Sequence, residues 1–280
     1  MITGTTRLLG IIADPVAHVR TPQIMNAYFA EHGVDAVIVP MQVASAGLAS
    51  VLDAVRQLHN FAGLIVTVPH KSAVVDLCDE ALDEARLVGS ANAIRRNEDG
   101  RFVCDMFDGK GFLGGLVAEG IEPEGRKVLL LGAGGAASAI AASLAGRRIS
   151  TLTIANRTKD KARALAARIA AAFPACRVAD GPPDPSGHDL VVNATSLGLG
   201  ADDPLPLDPD LLRPDMTVAE VVMKPERTPF IEAAQARGCR VHLGRHMLDA
   251  QVRLLAGFLG VAAQAAEFKH EPAGRNGRIS

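Results

Sequence analysis

At 280 residues, 48% of them hydrophobic and 21% charged, the chain is long enough for two separate cores and has the make-up of a soluble globular protein. A net charge of −2 with no basic face argues against a nucleic-acid partner. No apolar run reaches membrane-spanning length, and the polar start, Met1 to Arg7, carries no signal-peptide pattern. Cys78, Cys104, Cys176 and Cys239 stand singly, matching neither a zinc pattern nor a disulfide framework, and read as reduced thiols of a cytoplasmic protein.

The first hundred residues alternate strand-like and helix-like segments. Strands are expected over Leu8–Ile12, Ala36–Pro40 and Gly63–Val68, with helices over Pro22–Glu31 and Leu48–Leu58. Helices near Lys71–Cys78 and Asp83–Val88 follow, then short strands near Ala93–Arg96 and Phe102–Cys104. Asp108–Glu119 reads as a linking helix and Gly120–Arg126 as a polar loop. This is a complete α/β unit before a second one begins.

The second unit opens on the most informative stretch, Lys127 to Thr158. Val128–Leu131 is the unbroken apolar run of a strand covered on both faces of a parallel sheet. Gly132 permits a tight turn, Gly134 lets backbone approach a pyrophosphate, and Ala137 fills the small-residue slot where helix and strand pack. The loop Gly132, Ala133, Gly134, Gly135, Ala136 thus presents free N–H groups to phosphates, the mark of a dinucleotide site. At the end of the next strand an NAD site usually carries a carboxylate for the ribose 2′-OH. Here stand Asn156, Arg157 and Thr158, with no acid until Asp160. Arg157 is suited to a 2′-phosphate, with Lys161 adding charge one turn later, which favours NADP; the alternative is a solvated helix start.

A helix with Leu165, Ile169 and Ala172 on its apolar face comes next, leaving Lys161 and Arg168 to solvent. Strands at Asp189–Asn193 and Met216–Glu220, a helix at Phe230–Ala236, a strand at Arg240–His242 and a helix near Met247–Leu259 complete the unit. The 180–188 and 201–210 loops are turns, and the Gly- and Arg-rich tail from Lys269 to Ser280 is expected to be disordered.

Several motifs in order resemble the shikimate/quinate dehydrogenase family over nearly the whole chain. They are Gly10 to Pro22, ending His18-Val19-Arg20-Thr21-Pro22; Gly63 to Lys71, containing Thr67; and Gly89-Ser90-Ala91-Asn92-Ala93 with Asp105-Met106-Phe107-Asp108-Gly109. Asn193-Ala194-Thr195-Ser196-Leu197-Gly198 and Met247-Leu248-Asp249-Ala250-Gln251 follow. The resemblance implies an α/β protein with an N-terminal α/β substrate domain over 1–110, completed by about 245–268, and a Rossmann NADP domain over 111–244. It implies interconversion of a ring secondary alcohol and ketone on a small hydroxylated ring carboxylate, by a monomer or homodimer. Thr21, Thr67, Asn92 and Gln251 are its implied substrate contacts, and Thr195 and Gly244 add to the cofactor set.

Oxidising a secondary alcohol needs an acid/base at the hydroxyl, and Lys71 is the candidate. In the first turn of the expected helix its charge would oppose the helix dipole; an exposed lysine is the alternative. Asp108 is the expected partner, or else a helix N-cap. Asn92 otherwise supports a turn, and Gln251 is expected at an exposed helical position. His18, His70 and His246 share no ligand spacing, so no metal is expected.

The departures cluster at the substrate end. Val19 and Thr21 replace the family's two serines, and Glu220-Val221-Val222-Met223-Lys224-Pro225 replaces a pattern containing tyrosine. Losing a hydrogen bond to a charged group costs about 1.5–3 kcal/mol, ten- to a hundredfold in affinity. Met106-Phe107 is expected to make a polar wall apolar, with Arg20 or Arg245 as counter-charge. Poor shikimate activity and a preference for quinate or aminoshikimate are the consequence expected. A non-catalytic NADP or metabolite sensor on this fold is the reading from another class.

Overall fold

The computed structural model describes residues 1–200 and 202–262. The expected tail from Lys269, residues 263–268 of the first unit's completion, and residue 201 lie outside them.

The first sheet is built from β1 (Arg7–Ala13), β2 (Ala36–Gln42), β3 (Phe61–Val66), β4 (Glu80–Ala81), β5 (Ala93–Arg96) and β6 (Phe102–Asp105). Their order is β2-β1-β3-β5-β6-β4, parallel around β1 and antiparallel where β5 meets β3 and β6. Period-two alternation sends Leu9 and Ile11 to one face and Ile12 to the other. Beneath the first face lie Met25 and Phe29 of α1 (Thr21–Glu31); the second is covered by Leu48, Leu52 and Val55 of α2 (Leu48–Arg56) and Ala85 of α3 (Asp83–Val88).

The second sheet comprises β7 (Lys127–Leu131), β8 (Thr151–Ala155), β9 (Arg177–Asp180), β10 (Leu190–Asn193), β11 (Thr217–Glu220) and β12 (Arg240–His242). It runs β12-β11-β10-β7-β8-β9, every pair parallel. The strand order reverses at β7 and β10, and the crevice beyond the carboxyl ends there is where such a sheet takes a ligand. One face packs on α4 (Asp108–Ala118), α5 (Gly135–Gly146) and α6 (Lys159–Ala172), the other on α7 (Pro229–Ala236).

The final helix, α8 (Gly244–Phe258), leaves the second sheet and returns to the first, where Val252, Leu255 and Ala256 join the Leu9–Ile11 core. On the way it lies against α4, which connects the two sheets. Glycine makes that approach possible: a Cβ on Gly111 would strike the Gln251 side chain, and one on Gly115 would sit 2.8 Å from the His246 backbone.

Several expectations need correction. No α-helix spans Lys71–Cys78; a turn leads into a 3₁₀ segment at Val75–Leu77. The Lys71 carbonyl is taken by the Ala91 amide at 2.8 Å, so the helical bond that would continue the ladder from it is not made. The third strand starts at Phe61 and stops at Val66, which frees Thr67 and Val68. β4 and β9 were not foreseen because both are short, polar edge strands without a buried face. In α6, Ala172 is exposed, and Ala162 and Ala166 complete the apolar stripe with Leu165 and Ile169.

Candidate active site

A cavity of about 750 Å³ opens between the carboxyl ends of the two sheets. On the side of the first sheet its wall carries Thr67 and Lys71, which follow β3, Asn92 just before β5, and His18 to Thr21 between β1 and α1. α4 contributes Asp108 and α8 contributes Gln251.

Asp108 is the hub. Its Oδ2 accepts from Lys71 Nζ at 2.6 Å, and its Oδ1 accepts from Asn92 Nδ2 at 2.7 Å and Gln251 Nε2 at 3.0 Å. Asn92 is itself oriented, because its Oδ1 accepts from the Phe107 amide at 2.9 Å. Asp108 and Asn92 are 3% exposed and Gln251 5%, so the ion pair is fixed on all sides but the cavity. A charge pair held in low dielectric by further hydrogen bonds is strong in geometry even where it adds little to stability.

The expectation that Asp108 caps α4 is overturned: Phe107 is the N-cap residue, no side chain caps the helix, and the Asp108 carboxylate turns toward Lys71. Gln251, expected on an exposed helix face, is buried by α4. Lys71 has no helix dipole beneath it, its helix being absent, and its ammonium is paired with Asp108. Met106 and Phe107 form no cavity wall. Met106 is buried in the core under α5, and the Phe107 ring lies tilted 5.1 Å from that of Phe258 in the core of the first sheet.

On the other side, the glycine turn behaves as its residues require. Gly132 has φ +116°, and a Cβ there would come within 2.8 Å of the Ala194 carbonyl. Gly134 caps α5 with no side-chain hydrogen bond and has nothing within 4 Å of its missing Cβ, so backbone N–H groups open directly onto the cavity. Asn156, Arg157, Thr158 and Lys161 line the far end. Asn156 Nδ2 donates to the Thr158 carbonyl at 2.9 Å, ordering the turn, while Arg157 and Lys161 have no acidic partner among the described residues. A cradle with room at Gly134, free amides and two unpaired cations beyond β8 fits a phosphorylated dinucleotide.

Thr195 lines the cavity and is held by Asn193, whose Oδ1 accepts its hydroxyl at 2.6 Å. Gly244 does not reach the cavity; a Cβ on it would strike the Val222 carbonyl, so it packs behind the wall. Arg20 lines the substrate end, whereas Arg245 is paired with Glu226 at 2.8 Å outside it. Thr21 is buried and faces the cavity beside the half-buried Val19. His70 Nε2 lies 2.7 Å from the Val43 carbonyl as a structural contact. Among the described residues no group of three or more His, Cys, Asp or Glu could hold a metal, and no helix is long and apolar enough to cross a membrane. The Val221–Lys224 segment, singled out in the sequence as a departure at the substrate end, lines the cavity, and sequence reasoning missed that Glu220 is fully buried behind it. The available signal was a lone acid at the end of an apolar strand.

Comparison with known proteins agrees with this geometry. The family model for the shikimate dehydrogenase substrate binding domain matches residues 11–94, and that for shikimate / quinate 5-dehydrogenase matches residues 117–198. A shikimate dehydrogenase (NADP(+)) of Rubrobacter xylanophilus is 39% identical over 272 residues, covering 95% of this chain and 92% of the relative. A shikimate dehydrogenase crystallised in complex with NADP+ superposes with a TM-score of 0.87 at 31% identity, covering 94% of this chain and 93% of that one. The 5-ketofructose reductase of Gluconobacter sp. strain CHM43 superposes with a TM-score of 0.80 at 33% identity, covering 92% and 95%.

Proposed function

The chain belongs to the shikimate/quinate dehydrogenase family, and from that membership we propose that it interconverts a ring secondary alcohol and its ketone with NADP. The observation that carries this reading is the 2.6 Å Lys71–Asp108 pair, set in one cavity with the glycine turn and the unpaired Arg157 and Lys161.

Lys71 Nζ gives a proton to the substrate oxygen on reduction and takes it back on oxidation. Asp108 orients that ammonium and balances its charge. With Oδ1 already accepting from Asn92 and Gln251, Asp108 presents Oδ2 to Lys71. We assign substrate hydroxyl contacts to Asn92, Thr67 and Gln251. Bound at the glycine turn, NADP supplies the hydride acceptor or donor. Amides of Ala133 to Ala136 would hold its pyrophosphate, Gly132 making the turn with its own amide given to the Ala155 carbonyl at 2.7 Å; Arg157 and Lys161 would hold its 2′-phosphate, with Asn156, Thr158 and Thr195 shaping the walls. Gly244 supports this set from behind, through Val222.

Residues 1–110 with the segment from about 245 form the substrate unit in this reading, and 111–244 the cofactor unit. Every residue named comes from one chain, so a monomer or a homodimer serves equally, and a cytoplasmic setting suits the free thiols. The substrate is a hydroxylated ring carboxylate whose carboxylate meets Thr21 and Arg20. Val19 supplies no hydroxyl there, so shikimate is held less tightly than two serines would hold it, and quinate and aminoshikimate are the alternative substrates.

The test is NADPH formation across shikimate, quinate, aminoshikimate and simple hydroxy acids, with NAD run beside NADP and 5-ketofructose reduction as the neutral comparison. Turnover of one ring acid with NADP is the expected result. NADP binding without turnover of any substrate would favour a sensor instead, and shikimate turnover as efficient as that of any ring acid tested would remove the altered pocket.

A further inference from the structure

Glu220 is a carboxylate the mechanism does not use. It ends β11 with no solvent exposure and stands in register with Asn193 at the end of β10. Its Oε1 accepts from Asn193 Nδ2 at 2.9 Å and the Val222 amide at 3.3 Å; its Oε2 accepts from Thr228 Oγ1 at 3.0 Å. None of these partners ionises, and among the described residues no cation pairs with the group. Burial pushes its pKa up to about 7, against the opposing pull of the Val222, Asn193 and Thr228 donors.

Asn193 and Val222 belong to segments that reach the cavity, and Thr228 packs against one of them. Asn193 also donates to the Leu197 carbonyl at 3.1 Å and accepts from the Thr195 amide at 3.1 Å, so residues 194–198 wrap around it. Val222 belongs to the 221–224 wall. Thr228 caps α7 by accepting from the Ile231 amide at 3.2 Å, and its Cγ2 would sit 3.1 Å from a Cβ on Gly198. Both cavity segments follow strands on the opposite side of β7 from Arg157.

We infer that Glu220 is a positioning residue for the cofactor: from behind the wall its carboxylate clamps the 194–198 and 221–224 segments into one shape. The wall so shaped faces the half of the dinucleotide that does not carry the 2′-phosphate, and to that extent the inference rests on the NADP reading above. Both donors to Oε1 are N–H groups that cannot accept, so an incoming proton must sit on Oε2. There it reverses the bond from Thr228 and loosens the clamp.

The test uses Glu220→Gln and Glu220→Asp in the full chain, by two routes. Amide hydrogen exchange without cofactor reads the clamp itself. Faster exchange over 194–198 and 221–223 is expected in both variants, with β7 and β8 unchanged. Unchanged exchange in those segments would overturn the clamp even if the protein used no NADP, which separates this failure from that of the cofactor reading. Steady-state kinetics reads the consequence: KM for NADP rises about tenfold while kcat at saturation stays within about twofold. Wild-type KM for NADP rises as pH falls through about 7, and Glu220→Gln lacks that dependence. Faster exchange with unchanged KM would overturn the positioning role. Should neither variant fold, a wild-type KM flat from about pH 8 to about pH 6 overturns it as well.

Discussion

At one end of the substrate side of the cavity, four polar side chains from four separated segments satisfy one another: Lys71, Asn92 and Gln251 all donate to Asp108. At the other end, Val19, Arg20 and Thr21 sit on one stretch that runs into the start of α1, and only Thr21 keeps the hydroxyl found in the family's pattern. A mutually bonded cluster tolerates little change, because losing one member strands the others in a buried setting. A row of independent contacts can change one residue at a time. The difference teaches that the reaction chemistry is retained here while the substrate's far end is free to vary.

The largest effect should come from breaking the first end. Lys71→Ala is expected to lower kcat by about 10²- to 10⁴-fold while NADP binding, followed by NADPH fluorescence, persists. Near-normal turnover would remove Lys71 from the mechanism. Asp108→Asn should cost about a hundredfold in kcat, and the double variant little more than Lys71→Ala alone, since the pair acts as a unit. Additive losses would show two separate roles.

Arg157→Ala probes the cofactor side, which stands outside that contrast: KM for NADP should rise about ten- to a hundredfold while KM for NAD holds. An equal change for both cofactors would deny Arg157 the 2′-phosphate. The second end is sharpened by Val19→Ser, expected to raise kcat/KM about tenfold for shikimate and for any other ring acid whose carboxylate it meets. No gain would mean that residue 19 does not meet the carboxylate.

The smallest effect concerns stability. Glu220 binds its proton at about 7 in the folded chain, against an ordinary 4.5 when unfolded. Its contribution is therefore fully present below about 4.5 and lost as pH rises through about 7. Wild-type melting temperature should gain on Glu220→Gln as pH falls from about 8 to about 6; parallel curves would show that Glu220 does not titrate in that window.

Much of this was legible in the residues themselves. The Val128–Leu131 run, Gly132 and Gly134 announce a covered strand and a turn that needs glycine, and both are where they were expected. Arg157 without a preceding acid pointed to the far end of the cavity, where it lies. Less was legible around Lys71, because a segment with helix-like spacing gave up its first helical bond to the Ala91 amide, a partner 20 residues away in the chain. Met106 and Phe107 misled for a related reason. They immediately precede the site residue Asp108, yet the turn from β6 into α4 sends them into two different cores.

Periodicity, glycine placement and the type of residue at a strand end are local properties, and by themselves they determined the α/β class and the dinucleotide turn; the candidate acid/base came from the family resemblance. Partners and burial are decided by packing between distant segments. Gln251 reaches Asp108 across 143 positions because glycines let α8 lie against α4, and Glu220 is buried because β10 and β11 bring Asn193 beside it. Desolvation and hydrogen-bond geometry depend on those neighbours, so only the tertiary structure could turn a plausible lysine and aspartate into a pair and a strand-end glutamate into a clamp.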